Sequence, residues 1–107
     1  MKVKTGDIFE CEGSFHQAIR ATAKTATIRP IEGTFEGCAD PYGWERKYLP
    51  VPGRFTSDPW MGRERSERGQ RLKLHDSTRD GSRPELHMGY RTLTLWDGTP
   101  GVCDTYN

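Results

Sequence analysis

The feature that most constrains the fold is a two-residue alternation of apolar and polar side chains, repeatedly interrupted by glycine or proline. The clearest case is residues 90–96, where Leu93 and Leu95 alternate with threonines. Such alternation places every second side chain on one face of a strand. No segment keeps apolar residues at helical spacing for three turns. The sequence therefore predicts an all-β domain with little helix.

Alternating or β-branched runs predict about six short strands, with Trp96 in the core at the end of the clearest one. The predicted strands are residues 7–11, 15–22, 25–31, 71–75 and 90–96 and a last one ending near residue 106, with 44–49 as a further candidate. In residues 15–22, the face that carries Phe15 and Ile19 is predicted to be the buried one. Short strands with frequent turn residues indicate a small barrel or sandwich.

Turn-forming residues define the connections. Residues 32–43 contain three glycines and a proline, so we expect a turn-rich connection from which Phe35 anchors in the core. Pro50, Pro52 and Gly53 should end regular structure, and residues 76–84 should form a turn. Residues 54–70 are predicted to be an exposed loop.

In this loop, Ser57, Asp58 and Pro59 resemble a helix start, but Gly62 and Gly69 leave room for only a turn or two. The length of 107 residues suits one domain, residues 1–107, with one core. We expect an SH3-like β-barrel, with an OB-like barrel or a small β-sandwich as the alternatives.

Charge and cysteine content narrow the functional classes. The formal net charge is +1, so the chain lacks the overall positive charge that drives non-specific binding to nucleic acid. No apolar stretch approaches the length that spans a membrane, and the start has no signal-peptide pattern, so we expect a cytoplasmic protein. Three cysteines show neither a disulfide framework nor metal-ligand spacing, so we expect no disulfide and no metal.

No motif points to catalysis. No nucleophile signature surrounds any serine or cysteine, and no glycine-rich loop has the pattern of a phosphate cradle. The nearest pair, Cys11 and His16, is read as a buried thiol and an imidazole on a strand surface. The sequence therefore predicts a protein that is not an enzyme and holds no cofactor.

Several short motifs, in their order along the chain, resemble a group of short uncharacterised proteins of bacteriophages and mobile elements. The motifs are Gly-Asp-Ile-Phe at 6–9, Gln-Ala-Ile at 17–19, Lys-Thr-Ala-Thr-Ile-Arg-Pro-Ile at 24–31, Val-Pro-Gly-Arg-Phe at 51–55, Trp-Asp-Gly-Thr-Pro at 96–100 and Tyr106. The resemblance implies a viral or mobile-element origin and a small β fold, and it implies no reaction. Proteins from such genomes often inhibit a host protein, for example one of a defence system.

One segment is a candidate contact surface. It combines an aromatic side chain with arginines, which recognise carboxylates or phosphates, and Trp44 and Tyr48 extend the surface. The predicted partner-binding residues are Trp44, Trp60, Arg63, Arg65, Arg68 and Arg71. The plainer alternative is a solvated loop in which Glu64 and Glu67 neutralise the arginines. We expect a monomer or weak oligomer that binds and occludes a host protein in the host cytosol, and the alternative is a nucleic-acid-binding β-barrel.

Overall fold

The computed structural model describes residues 3–59, 61–76 and 84–104, and confirms the predicted all-β barrel. Short alternating runs form strands because each buries one face. The elements are β1 (Ile8–Cys11), β2 (Ser14–Ala21), β3 (Thr25–Cys38), β4 (Glu45–Phe55), α1 (Arg63–Arg68), β5 (Gln70–Asp76), β6 (Pro84–Met88), β7 (Arg91–Leu95) and β8 (Gly101–Asp104). No helix among the described residues is long and apolar enough to cross a membrane.

Six of the strands close into an antiparallel barrel of the small SH3-like or OB-like kind. Their order around the wall is β2, β1, β7, β6, β5 and β3, and a further pairing of β2 with β3 closes the ring. Closure leaves these six strands without a free edge. β4 and β8 lie outside the ring and extend it from β3.

The barrel interior is the main hydrophobic core. Phe9, Ile28, Leu86 and Leu93 come from four different strands and are completely buried. Burial of a side chain of this size contributes about 1.5–3 kcal/mol, so these four provide much of the driving force for closure. The interior of the barrel is therefore filled by side chains.

The second half of β3 leaves the barrel and pairs with β4, which in turn pairs with β8. We call this extension, residues 33–50 and 101–104, the arm. A second core lies between the barrel wall and the arm, where Phe15 and Ile31 pack with Tyr48 and the half-buried Trp96. The Phe15 and Trp96 rings meet edge to face at 6.4 Å, so Trp96, which was predicted in the core, packs against the second core but stays partly exposed.

Two predicted strand ends are wrong. β3 continues from residue 31 to Cys38, and β4 continues through Pro50 and Pro52 to Phe55. The glycines and prolines mark irregular pairing instead: Ile31 pairs with Phe55, but Gly33 pairs with Pro50. Residues 51–54 therefore bulge from the ladder, which accommodates prolines that have no N–H to donate.

The predicted exposed loop at residues 54–70 is also wrong in part. Residues 56–59 and 61–69, which we call the cap, include α1, and among these described residues Asp58, Met61 and Ser66 are buried. Met61 packs with the interior core residues of the barrel. The open end of a small barrel exposes apolar side chains unless another segment covers them. Burial of these side chains therefore favours packing of the cap on the barrel.

Candidate functional site

A buried polar cluster joins the cap to the barrel. His16 of β2 and Asp58 of the cap are 0% and 8% exposed, and His16 Nε2 lies 2.8 Å from Asp58 Oδ2. Arg91 Nη1, at the start of β7, donates to the same Oδ2 at 3.2 Å. One carboxylate oxygen thus links the cap to two barrel strands.

His16 is buried and not on the strand surface, which corrects the sequence-based reading. It pairs with Phe9 on one side and Pro30 on the other, and paired residues share a face of the sheet. Burial lowers the pKa of His16, and the hydrogen bond that His16 donates to Asp58 opposes that effect only in part. His16 Nδ1 is buried and has no hydrogen-bond partner among the described residues.

Cys11, at the end of β1, is hydrogen-bonded to Arg91 of the cluster. Burial raises the pKa of the Cys11 thiol, against the opposing effect of its hydrogen bond with Arg91. A thiol with a raised pKa is a poor nucleophile at neutral pH, because the thiolate is the reactive form. This environment gives no support to covalent catalysis by Cys11.

Backbone and side-chain hydrogen bonds set the shape of the cap. Ser66 Oγ accepts from the Asp58 N–H at 3.0 Å and donates to the Gly62 carbonyl at 2.7 Å. Arg29 Nε donates to the Ser66 carbonyl at 2.8 Å, and its guanidinium lies 4.2 Å from the centre of the Phe55 ring. These contacts tie both ends of the cap to each other and to β3, so Asp58 is held in place.

A cleft of about 440 Å³ opens beside the cluster, between the cap, β2 and the base of the arm. The residues that line it include His16, Asp58, Phe15, Tyr48 and Glu32. Glu32 Oε2 lies 3.0 Å from Arg54 Nε in an exposed ion pair. The cleft combines apolar rings with a small number of polar groups, which is typical of ligand sites.

The arm presents a second candidate surface. Phe35 and Tyr48 lie opposite each other on β3 and β4 and pack edge to face at 5.8 Å. At the hairpin between these strands, Asp40 Oδ1 accepts from the N–H groups of Trp44 and Glu45 at 2.8 and 2.9 Å. Backbone N–H groups, with that of Glu45 foremost, lower the pKa of Asp40. The hairpin is thus ordered, although its aromatic side chains are exposed.

The predicted contact residues fall on three elements. Arg63, Arg65 and Arg68 lie on α1, Arg71 lies on β5, Trp44 lies at the arm hairpin, and Trp60 is outside the described residues. On α1 the side chains of Arg63 and Glu67 approach to 3.4 Å, and those of Arg68 and Glu64 to 2.8 Å. Two of the arginines are therefore already paired, as the solvated alternative expects. Arg65 remains exposed on the same helix.

The sequence analysis did not predict the buried cluster, and it placed Phe35 of the arm wrongly. Phe35 was expected in the core, and it is 53% exposed. Asp58 was read as a helix cap, but α1 begins after Gly62, which makes no side-chain cap. One sequence signal could have indicated that His16 is buried. The small apolar residue Ala18 lies on the same face of β2 as His16, and both are completely buried.

Among residues 3–59, 61–76 and 84–104, no group of three or more His, Cys, Asp or Glu side chains is placed to hold a metal ion. Cys11 and Cys38 form no disulfide bond within the described part of the chain. Comparison of the chain with protein-family models, curated proteins and solved structures finds no match. The protein is thus a small closed β-barrel. Its cap is hydrogen-bonded to the barrel through Asp58, and its arm carries exposed aromatic side chains.

Proposed function

We propose that this protein is a non-enzymatic binding module that occludes a partner protein with the aromatic surface of its arm. The observation that carries the proposal is that four of the exposed large hydrophobic side chains among the described residues belong to the arm. Phe35, Tyr42, Trp44 and Val102 are 53%, 81%, 41% and 39% exposed. Among the described residues, Tyr90 is the other large hydrophobic side chain with comparable exposure.

These four side chains are not part of either hydrophobic core. The main core is inside the ring, and Tyr48 already seals the base of the arm. Exposed aromatic clusters on small proteins usually mark contact surfaces, because tyrosine and tryptophan supply large contact areas at low entropic cost. The arm therefore supports the predicted role of Trp44 and adds Phe35 and Tyr42 to it.

The kind of partner follows from the resemblance to phage and mobile-element proteins. We propose a host protein, for example a component of a defence system, bound in the host cytosol by a monomer or weak oligomer of this chain. Occlusion needs no chemistry, and the raised pKa of Cys11 is consistent with a protein that is not an enzyme. The exposed arginines of α1 are expected to add little affinity, because charges that stay in contact with water contribute little.

The test compares two variants as baits in host lysate. The arm variant carries Phe35→Ser, Tyr42→Ser and Trp44→Ser, and the helix variant carries Arg65→Glu and Arg68→Glu. The proposal expects a protein that is recovered by the wild type and the helix variant and is lost with the arm variant. Equal thermal stability of the three baits, measured first, excludes unfolding as the cause of the loss.

The second candidate function is nucleic-acid binding, which a basic stripe on the outer wall favours. Arg71 and Arg20 both pair with Thr27, from β5 and β2, and Lys73 pairs with Thr25. Paired residues share a face, so three basic side chains lie together on the outside of the barrel. Binding of a fluorescent single-stranded oligonucleotide that falls steeply with salt, and that is lost in Arg71→Glu with Lys73→Glu, would support this candidate instead.

A further inference from the structure

The basic stripe on the outer wall, which consists of Arg20, Arg71 and Lys73, has positive charge available for a partner. All three side chains are exposed, and none forms an ion pair among the described residues. Their neighbours in the strand ladder are the threonines Thr25 and Thr27, which are uncharged. The stripe therefore offers three cations that the barrel itself does not neutralise.

The end of the arm has the opposite charge. Residues 35–45, which we call the arm tip, contain three carboxylates and neither lysine nor arginine. Glu36 and Glu45 are exposed and form no ion pair in the described part of the chain. Backbone N–H groups lower the pKa of Asp40, so its carboxylate is ionised at neutral pH. The exposed aromatic side chains of the arm tip lie among these acids.

Strand β3 connects the stripe to the arm tip. The extra residues at its irregular pairings belong to β2 and β4, so β3 runs without a bulge from Thr25 to Phe35. Odd-numbered side chains of this stretch share one face, and Arg71 and Lys73 pair with the threonines of that face. At about 3.3 Å per residue, the stretch covers roughly 30 Å. The two patches therefore lie near opposite ends of one strand, on one face of the sheet.

Each patch carries the groups that the other would bind. Arginine pairs with carboxylates and stacks on aromatic rings, and the arm tip offers both. The two patches cannot meet within one chain, because the sheet holds them apart. When two copies lie antiparallel about a two-fold axis, each arm tip meets the stripe of the other copy, and both contacts close together. We propose that two copies of this chain form a two-fold dimer in which the arm tip of each lies on the basic stripe of the other.

The dimer is expected to be weak and sensitive to salt. Its contacts are between exposed charges, which contribute little free energy each and are screened by ions. The formal net charge of +1 leaves little overall repulsion between two copies. The proposed host partner would compete for the same arm tip, but dimerisation does not require that partner. The two proposals can therefore fail separately.

Sedimentation velocity on the purified, nuclease-treated chain tests the dimer. Between about 0.01 M and 0.15 M salt, where the Debye length falls from about 30 to 8 Å, the dissociation constant should rise at least about tenfold. The tip variant carries Glu36→Lys with Glu45→Lys, and the stripe variant carries Arg71→Glu with Lys73→Glu. Each should be monomeric alone at low salt, because charges of like sign then face each other. Thermal melts establish that both variants are folded.

An equimolar mixture of the two variants should restore the dimer. The reversed tip of one variant matches the reversed stripe of the other, and the unaltered tip and stripe also match. The control replaces the tip variant by Glu64→Lys with Glu67→Lys, which makes the same change in net charge on α1. In that mixture one of the two contacts brings like charges together, so association should be clearly weaker.

Several results would overturn the proposal. They are a wild-type chain that stays monomeric at low salt up to its highest soluble concentration, single variants that associate like the wild type, and a mixture that stays monomeric. Oligomers larger than a dimer would exclude the two-fold arrangement. Association that nuclease treatment removes would instead assign the stripe to nucleic acid.

Discussion

Replacement of Asp58 by alanine tests whether the buried cluster holds the cap on the barrel. The change removes the acceptor that His16 Nε2 and Arg91 Nη1 share. Breaking a buried charge pair costs roughly 3–5 kcal/mol when one partner stays buried. The Arg91 side chain is 15% exposed and regains some hydration, so we take the lower end, about 3 kcal/mol.

This loss is large for a domain of this size. At about 5 °C per kcal/mol, the melting temperature of Asp58→Ala should fall by roughly 15 °C. Urea unfolding followed by circular dichroism, with a thermal melt in parallel, measures both quantities.

The matched control is Glu67→Ala, which breaks the exposed ion pair with Arg63 on the same cap segment. Exposed pairs contribute about 0–1 kcal/mol, so this variant should melt within a few degrees of the wild type. If Asp58→Ala melts like Glu67→Ala, the cluster does not hold the cap and the reasoning fails.

Three further outcomes follow from the same structure. The pKa of His16 is lower in the folded chain than its ordinary 6.5, so the folded state binds fewer protons, and the free energy of unfolding should decrease as pH falls from about 7 to 5. His16→Leu should flatten this slope in a urea titration series, whereas an unchanged slope would assign it to other groups. Gly69 has φ +88°, and a Cβ there would lie 2.9 Å from Thr27 Cγ2, whereas Gly62 has φ +81° and open space, so Gly69→Ala should lower the melting temperature clearly more than Gly62→Ala. If the barrel binds protein and not nucleic acid, oligonucleotide anisotropy should show no binding even at low salt, and a steep salt dependence would favour the second candidate.

The fold class could be predicted because it depends on local patterns. Alternation in residues 90–96 and the β-branched residues of 25–31 identify strands without knowledge of their neighbours. β6 was missed because Pro84–Met88 is short and carries Glu85 and His87, and the expected turn at 76–84 lies largely outside the described residues. Strand ends were misplaced where glycine and proline form bulges, since a turn and a bulge use the same residues.

The site depends on distant parts of the chain, which local patterns do not reveal. His16 and Asp58 are 42 residues apart in sequence, and only closure of the barrel brings the cap over β2. β2 also has both faces covered near its start, with Phe15 toward the arm and His16 toward the interior. An alternation rule assigns one buried face to a strand, so it placed His16 on the surface. Trp44, which was predicted to lie on a contact surface, is 41% exposed.

The most direct test of the central claim is the affinity of the purified partner for arm and helix variants. We predict that Trp44→Ala and Tyr42→Ala each raise the dissociation constant about 30-fold, which corresponds to a contact residue worth about 2 kcal/mol. Arg65→Ala with Arg68→Ala should change it less than about fivefold, since exposed charges contribute little. An unchanged constant for both arm variants, together with a large loss in the helix variant, would contradict the account and place the contact surface on the cap.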